Sequence, residues 1–161
     1  MFPELLRRGI WHTTSVERFD QILADGQILP NPSLPESERW GTRIGSVGHP
    51  YVRHLDGVSL FDFEAFEENE YANRYPLSNW QTFVPCFAKW SAAIWIELDA
   101  NKMGNKLIRG QALLKKWKEE NSSRRFMPMI EAAHIGPIPI FCFRNAYKYS
   151  QETWQVVEHR V

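Results

Sequence analysis

The sequence predicts an α+β domain, rich in strands and poor in helices, and three observations carry that expectation. Short runs that are wholly apolar or alternate apolar with polar residues recur along the chain, at 9–12, 57–63, 92–98, 126–134, 138–143 and 153–161. Only two stretches, 16–23 and 111–120, repeat their apolar residues at the helical spacing. The 161 residues, of which 43% are hydrophobic, suit one domain (1–161) with a real core.

The first run, Gly9-Ile10-Trp11-His12, reads as a short buried strand leading straight into a helix. Thr14 and Glu17 have the spacing of a capping box. Val16, Phe19, Ile22 and Leu23 form the apolar face, and Gly26 is the stop. Asn31 to Pro50 is rich in proline and glycine and has no periodic apolar pattern, the signature of a functional or poorly ordered loop. Gly57 then opens a strand with Val58, Leu60 and Asp62 on one face and Ser59, Phe61 and Phe63 on the other. Ser59 is a small polar group on an aromatic face.

Glu64 to Glu70 is acidic and begins a helix or a surface excursion. Ala92 to Leu98 is apolar on both faces until Glu97, as a central strand is. Gln111 to Glu120 is a short helix with Leu113, Leu114 and Trp117 inside. Lys115, Lys116 and Lys118 form its solvated face or, as the alternative, a nucleic-acid contact. Phe126 to His134 is a strand entered at Pro128, followed after Gly136-Pro137 by strands at Ile138 to Phe143 and Thr153 to Val161.

Composition narrows the function. The formal net charge of +0 gives no general attraction for nucleic acid, although a local basic groove stays open. Seven Trp, five Tyr and ten Phe are more than the core of so short a chain needs, so some should line a pocket or a partner surface. Cys86 and Cys142 read as buried free thiols. No run approaches a membrane span, and Arg7-Arg8 precede no signal-like apolar stretch, so a reducing, cytoplasmic setting is expected. His49, His54 and His134 fit no standard zinc spacing, and no metal is expected. Nucleophile-elbow, P-loop and dinucleotide glycine motifs are absent.

Two positions carry candidate chemistry. His12 stands where a strand end meets a helix N-terminus, a place that gathers free N–H groups and suits a polar or phosphorylated ligand. A satisfied core histidine is the plainer alternative. Glu131 sits inside an apolar run, where a carboxylate is costly unless paired or facing a cavity. It reads either as a structural partner of an arginine, an edge residue facing water, or a buried catalytic acid. Ser59 reads either as a site residue or as a buried serine bonded to backbone.

In order, His12-Thr13-Thr14 before a helix, Val58-Ser59-Leu60 on a middle strand, and Ile130-Glu131 before Gly136-Pro137 resemble the ADP-ribosyltransferase fold. The match is most similar to its DarT-type, nucleic-acid-modifying branch and to the NAD-dependent RNA 2′-phosphotransferases. The resemblance implies a split mixed β-sheet with few short helices around an NAD cleft. It implies His12 on the adenosine-side ribose, the Thr13 backbone on the nicotinamide amide, and Thr14 beside them. Ser59 is the middle-motif serine. Tyr51, Phe61 or Phe63 would stack on the nicotinamide, and Arg43 or Arg53 would pair with the pyrophosphate. Glu131 would be catalytic, holding the nicotinamide ribose and stabilising the cation formed as its glycosidic bond breaks.

The implied partners are NAD and a macromolecular acceptor, nucleic acid or protein, with an antitoxin or immunity protein if the chain is a toxin. Met129 stands where arginine-modifying members carry Glu or Gln, which points away from arginine as acceptor. Arg39, Arg43 and Arg53 would serve the alternative, removal of an RNA 2′-phosphate. A silent binding module of the same fold is the third reading.

Overall fold

The computed structural model describes residues 1–39 and 46–159. Strand β1 (Ile10–Ser15) runs into helix α1 (Val16–Asp25) with no loop between them. Ser15 caps the helix, its Oγ accepting the Arg18 N–H at 3.3 Å. The expected Thr14–Glu17 box is thus displaced by one residue, because Thr14 is still paired in β1, opposite Ile94, and buried. Gly26 ends α1 at φ 71°, a conformation that favours glycine. Phe19 is buried, with Val16, Ile22 and Leu23 packed around the same core.

β2 (Gln27–Ile28) precedes the irregular segment, which contains 3-10 turns at Glu36–Glu38 and Ser46–Gly48. A short helix, α2 (Tyr51–His54), then leads to β3 (Gly57–Asp62). The acidic stretch resolves into α3 (Glu68–Arg74). β4 (Ala93–Leu98) is central, as its two apolar faces require. α4 (Ala100–Met103), β5 (Leu107–Ile108) and α5 (Gly110–Glu119) follow. β6 (Glu131–Ile135), β7 (Ile138–Pro139), β8 (Phe143–Ser150) and β9 (Thr153–Val156) complete the chain order.

Three strand expectations are corrected. The strand expected from Phe126 starts only at Glu131, because Met129 adopts φ 67° and folds the preceding residues into a turn. The strand expected over 138–143 is two residues of β7 and then a 3-10 turn, Ile140–Cys142. The last strand stops at Val156 and pairs with β8, which the sequence reading did not contain.

The domain is mixed α+β, with the strands in a seven-stranded sheet, β5-β6-β3-β1-β4-β8-β9, beside a two-stranded one, β2-β7. The expectation of mixed strand directions fails: every pairing among the described residues is antiparallel. Parallel neighbours need crossover connections of a dozen or more residues, typically through a helix, and here each connection returns the chain antiparallel to its sheet neighbour.

The sheet is split between β1 and β3. β1 pairs with β4 over Trp11–Ser15 but with β3 only at Ile10 and Trp11. One face of the sheet carries an aliphatic core built from Ile10, Val58, Leu60, Ile94 and Ile96 under α1. The other carries an aromatic cluster with Trp11, Phe61, Phe63, Trp80 and Trp95. No helix among the described residues is long and apolar enough to cross a membrane.

Candidate functional site

Glu131 begins β6 directly opposite Phe61 of β3, with Ser59 two residues away on the same face. Ser59 Oγ donates to Glu131 Oε1 at 3.0 Å, and the Met127 N–H donates to Oε2 at 2.8 Å. The Glu131 N–H returns to the Met127 carbonyl at 3.0 Å. The side chain therefore closes the turn that precedes its own strand. The carboxyl group is buried, and loss of water outweighs its two hydrogen bonds, raising its pKa to about 7. Near neutral pH it is a mixture of acid and carboxylate. Tyr71 on α3 packs on the same turn, its hydroxyl 2.7 Å from the Pro128 carbonyl.

His12 meets this group through β3. Its Nδ1 lies 3.1 Å from the Ser59 carbonyl. A carbonyl only accepts, so Nδ1 carries the hydrogen and Nε2 keeps a lone pair. Burial lowers the imidazole pKa to about 4, against the smaller opposing effect of the Ser59 bond. The ring is neutral at pH 7. Strand alternation sends His12 off β1 on the face opposite to Trp11, and therefore opposite to the Ser59 and Glu131 side chains; it meets them only through the Ser59 backbone carbonyl, where the β1–β3 ladder has lapsed.

Thr13 leaves β1 on the Trp11 face, at the position that would oppose Ser59 if the ladder continued. Its Oγ1 is buried with no hydrogen-bond partner. A buried hydroxyl in that state costs about 1–3 kcal/mol until something bonds it. The split thus has an orphan hydroxyl and a carboxyl group on one face of the sheet and a neutral imidazole on the other.

The other expected site residues lie elsewhere. Thr14 is buried in β1. Tyr51 is fully buried beside Val52 and Leu113, and its hydroxyl donates to Glu120 Oε2 at 2.7 Å. Burial pushes its pKa up, helped by that carboxylate. Phe61 is stacked on Phe63 at 5.1 Å and tilted against Trp95 at 5.6 Å. These rings are closed to a stacking ligand, a correction whose cause is their place on the core face of the sheet or in the α2–α5 cluster. Arg53 is half-buried on α2. Arg43 lies outside the described residues. Arg39 binds the Pro32 carbonyl within the irregular segment.

One buried carboxylate was missed as a site. Asp62 accepts the Arg109 fork, Nε at 2.8 Å and Nη2 at 3.0 Å, and the N–H groups of Gly110 at 3.1 Å and Glu64 at 3.2 Å. Burial pushes its pKa up, but Arg109 and the two N–H donors outweigh that and hold it below the ordinary range. Its only sequence signal is an Asp closing an apolar strand; apart from the nearby Glu64 N–H, its partners are 47 and 48 residues away.

A cavity of roughly 310 Å³ opens beside this pair, lined by Tyr71, Tyr75 and Met129 among others. A more open hollow lies at Arg7, Arg8 and Phe66. Neither is lined by His12, Ser59 or Glu131. Among the described residues, no three His, Cys, Asp or Glu side chains group as metal ligands. No protein-family model matches the chain, and no curated protein matches it.

Proposed function

We propose that the chain is an ADP-ribosyltransferase-like enzyme. It takes NAD at the split between β1 and β3, breaks the nicotinamide–ribose bond and transfers ADP-ribose to a macromolecular acceptor. The observation that carries this reading is the hydrogen-bonded path from His12 through Ser59 to Glu131, laid across β1, β3 and β6 where the ladder is interrupted.

The chemistry follows from the groups present. Nicotinamide leaves with the bonding electron pair, and positive charge develops on the ribose. The ionised form of Glu131 stabilises that charge more than it does the neutral sugar, which is what lowers the barrier. The acceptor's hydroxyl or nitrogen then bonds to the anomeric carbon, and its proton passes to Glu131 or to water. A midpoint of about 7 suits that exchange at neutral pH. His12 Nε2 can accept a hydrogen bond from a ribose hydroxyl, and Thr13 Oγ1 is placed to bond a polar group of the ligand.

One observation favours a second reading, a binding module without turnover: both Glu131 oxygens already accept hydrogen bonds within the protein. Incubation with NAD labelled in both halves separates the two. The enzyme reading expects free nicotinamide and labelled macromolecule from the wild type, with about 100-fold less from Glu131→Gln. NAD binding with no nicotinamide release from either protein supports the module. No binding and no release rejects both.

A further inference from the structure

We propose that Asp62 and Arg109 are positioning residues for Glu131: their ion pair fixes the start of α5 against the Met127–Ile130 turn, and that turn holds the Glu131 carboxyl group. The inference rests on the reading of Glu131 as the catalytic carboxylate.

The links are short. Asp62 follows Phe61, which faces Glu131 across the β3–β6 pair. The Asp62 N–H donates to the Ile130 carbonyl at 2.7 Å, tying the end of the turn to β3. Its carboxylate grips Arg109 and the Gly110 N–H, tying the same strand to the first residues of α5. Gly110 in turn touches the middle of the turn: a Cβ there would lie 1.8 Å from the Met129 carbonyl oxygen. The far end of the turn, the Met127 N–H, is the donor to Glu131 Oε2. Every step from Asp62 to Glu131 is a hydrogen bond or a backbone contact.

The role of Arg109 is geometric more than electrostatic. Its side chain is 40% exposed, so water and salt screen its charge. The planar fork is what matches both Asp62 oxygens, and an ammonium group cannot reproduce it. The charged or titratable neighbours of this assembly include Glu64, 3.6 Å from Arg109, Tyr71, which faces Glu131 from α3 and whose pKa burial raises, and Glu67, Glu70, Arg74 and Tyr75, which line the same cavity.

The test reads the titration of the Glu131 carboxyl carbon by NMR in the full chain, for the wild type, Arg109→Lys, Arg109→Gln and the control Lys115→Gln. Lys115 lies on the same helix but is highly exposed. The wild type and the control should share one midpoint. Both Arg109 variants should move it by half a unit or more, about threefold in proton affinity. Arg109→Lys retaining the wild-type midpoint would show that charge suffices and would overturn the proposal, as would no movement in either variant. A second measurement needs no variant. The Met127 and Gly110 amides should exchange hydrogen together, as parts of one clamped unit; Met127 exchanging far faster would also overturn it. None of these signals uses NAD, so failure of the clamp and failure of the transferase reading are separate results.

Discussion

Replacing Gly110 by alanine sets two physical effects against each other with opposite signs. Gly110 is the first residue of α5, and alanine in a helix is favoured over glycine by about 1 kcal/mol. The added Cβ, however, would sit 1.8 Å from the Met129 carbonyl oxygen and 2.7 Å from its carbon, both backbone atoms. No side-chain rotation relieves that contact, so helix and turn must part by more than 1 Å to reach the 3.0 Å limit of real Cβ contacts. Such a movement breaks the Gly110 N–H bond to the buried Asp62 carboxylate, which spans 3.1 Å. A hydrogen bond to a charged group is worth about 1.5–3 kcal/mol, and overpacking adds about 1–3 kcal/mol. After the helix gain is subtracted, the variant should lose about 1.5–5 kcal/mol, a fall in Tm on the order of 10 °C for a chain of this size. Urea and thermal unfolding measure it. A variant as stable as the wild type, or more so, would refute the packing argument and leave propensity in command.

Two further predictions concern protons. Glu131 is protonated in the folded state up to about 7, against 4.5 for an ordinary glutamate, so ionisation of the unfolded chain erodes stability as pH rises between those values. Relative to the wild type, Glu131→Gln should therefore gain about 3 kcal/mol between pH 4 and pH 8 in denaturant titrations, and a pH-independent difference would contradict the burial argument. His12 has the opposite sign: its lowered value, about 4 against 6.5, costs stability as pH falls below 6.5. Nitrogen NMR should find a neutral ring with its hydrogen on Nδ1 at pH 6; a midpoint at or above 6, or the other tautomer, would show that the ring is solvated.

The elements that were legible in the sequence are those whose signals are local. α1, β3, β4 and α5 each carry their own periodicity, and each lies within a residue or two of its expected place; β1 runs three residues further than expected, to Ser15, so His12 sits in mid-strand opposite Ile96 and not at the helix N-terminus. The β8–β9 hairpin escaped because its turn residues, Gln151 and Glu152, both adopt positive φ, at 50° and 61°. Those positions ordinarily call for Asn and Gly, and without that signal nothing marks a hairpin. Met129 is the same case: a positive φ on an unbranched apolar residue, invisible in advance, moved the start of β6 to Glu131. The cap moved by one residue because β-pairing with β4 holds the chain extended as far as Ser15.

The site divides along the same line. Glu131 was conspicuous as a lone acid in an apolar run, and Ser59 as a lone hydroxyl on an aromatic face. Asp62 was not, although it is also buried, because its meaning depends on Arg109, which follows β5 and lies 47 residues later in the chain. The comparison shows how one fold gives two carboxylates opposite tasks. Asp62 receives a cation and two backbone donors and stays ionised as an anchor. Glu131 receives only neutral donors, one hydroxyl and one amide, which do not repay its removal from water. A purely structural acid gains nothing from that arrangement, since a glutamine could accept the Met127 N–H through its amide oxygen and donate to the Ser59 hydroxyl without the cost. That such a cost falls on the strand next to an interrupted ladder is the physical reason to seek the chemistry at Glu131 rather than at the larger hollows nearby.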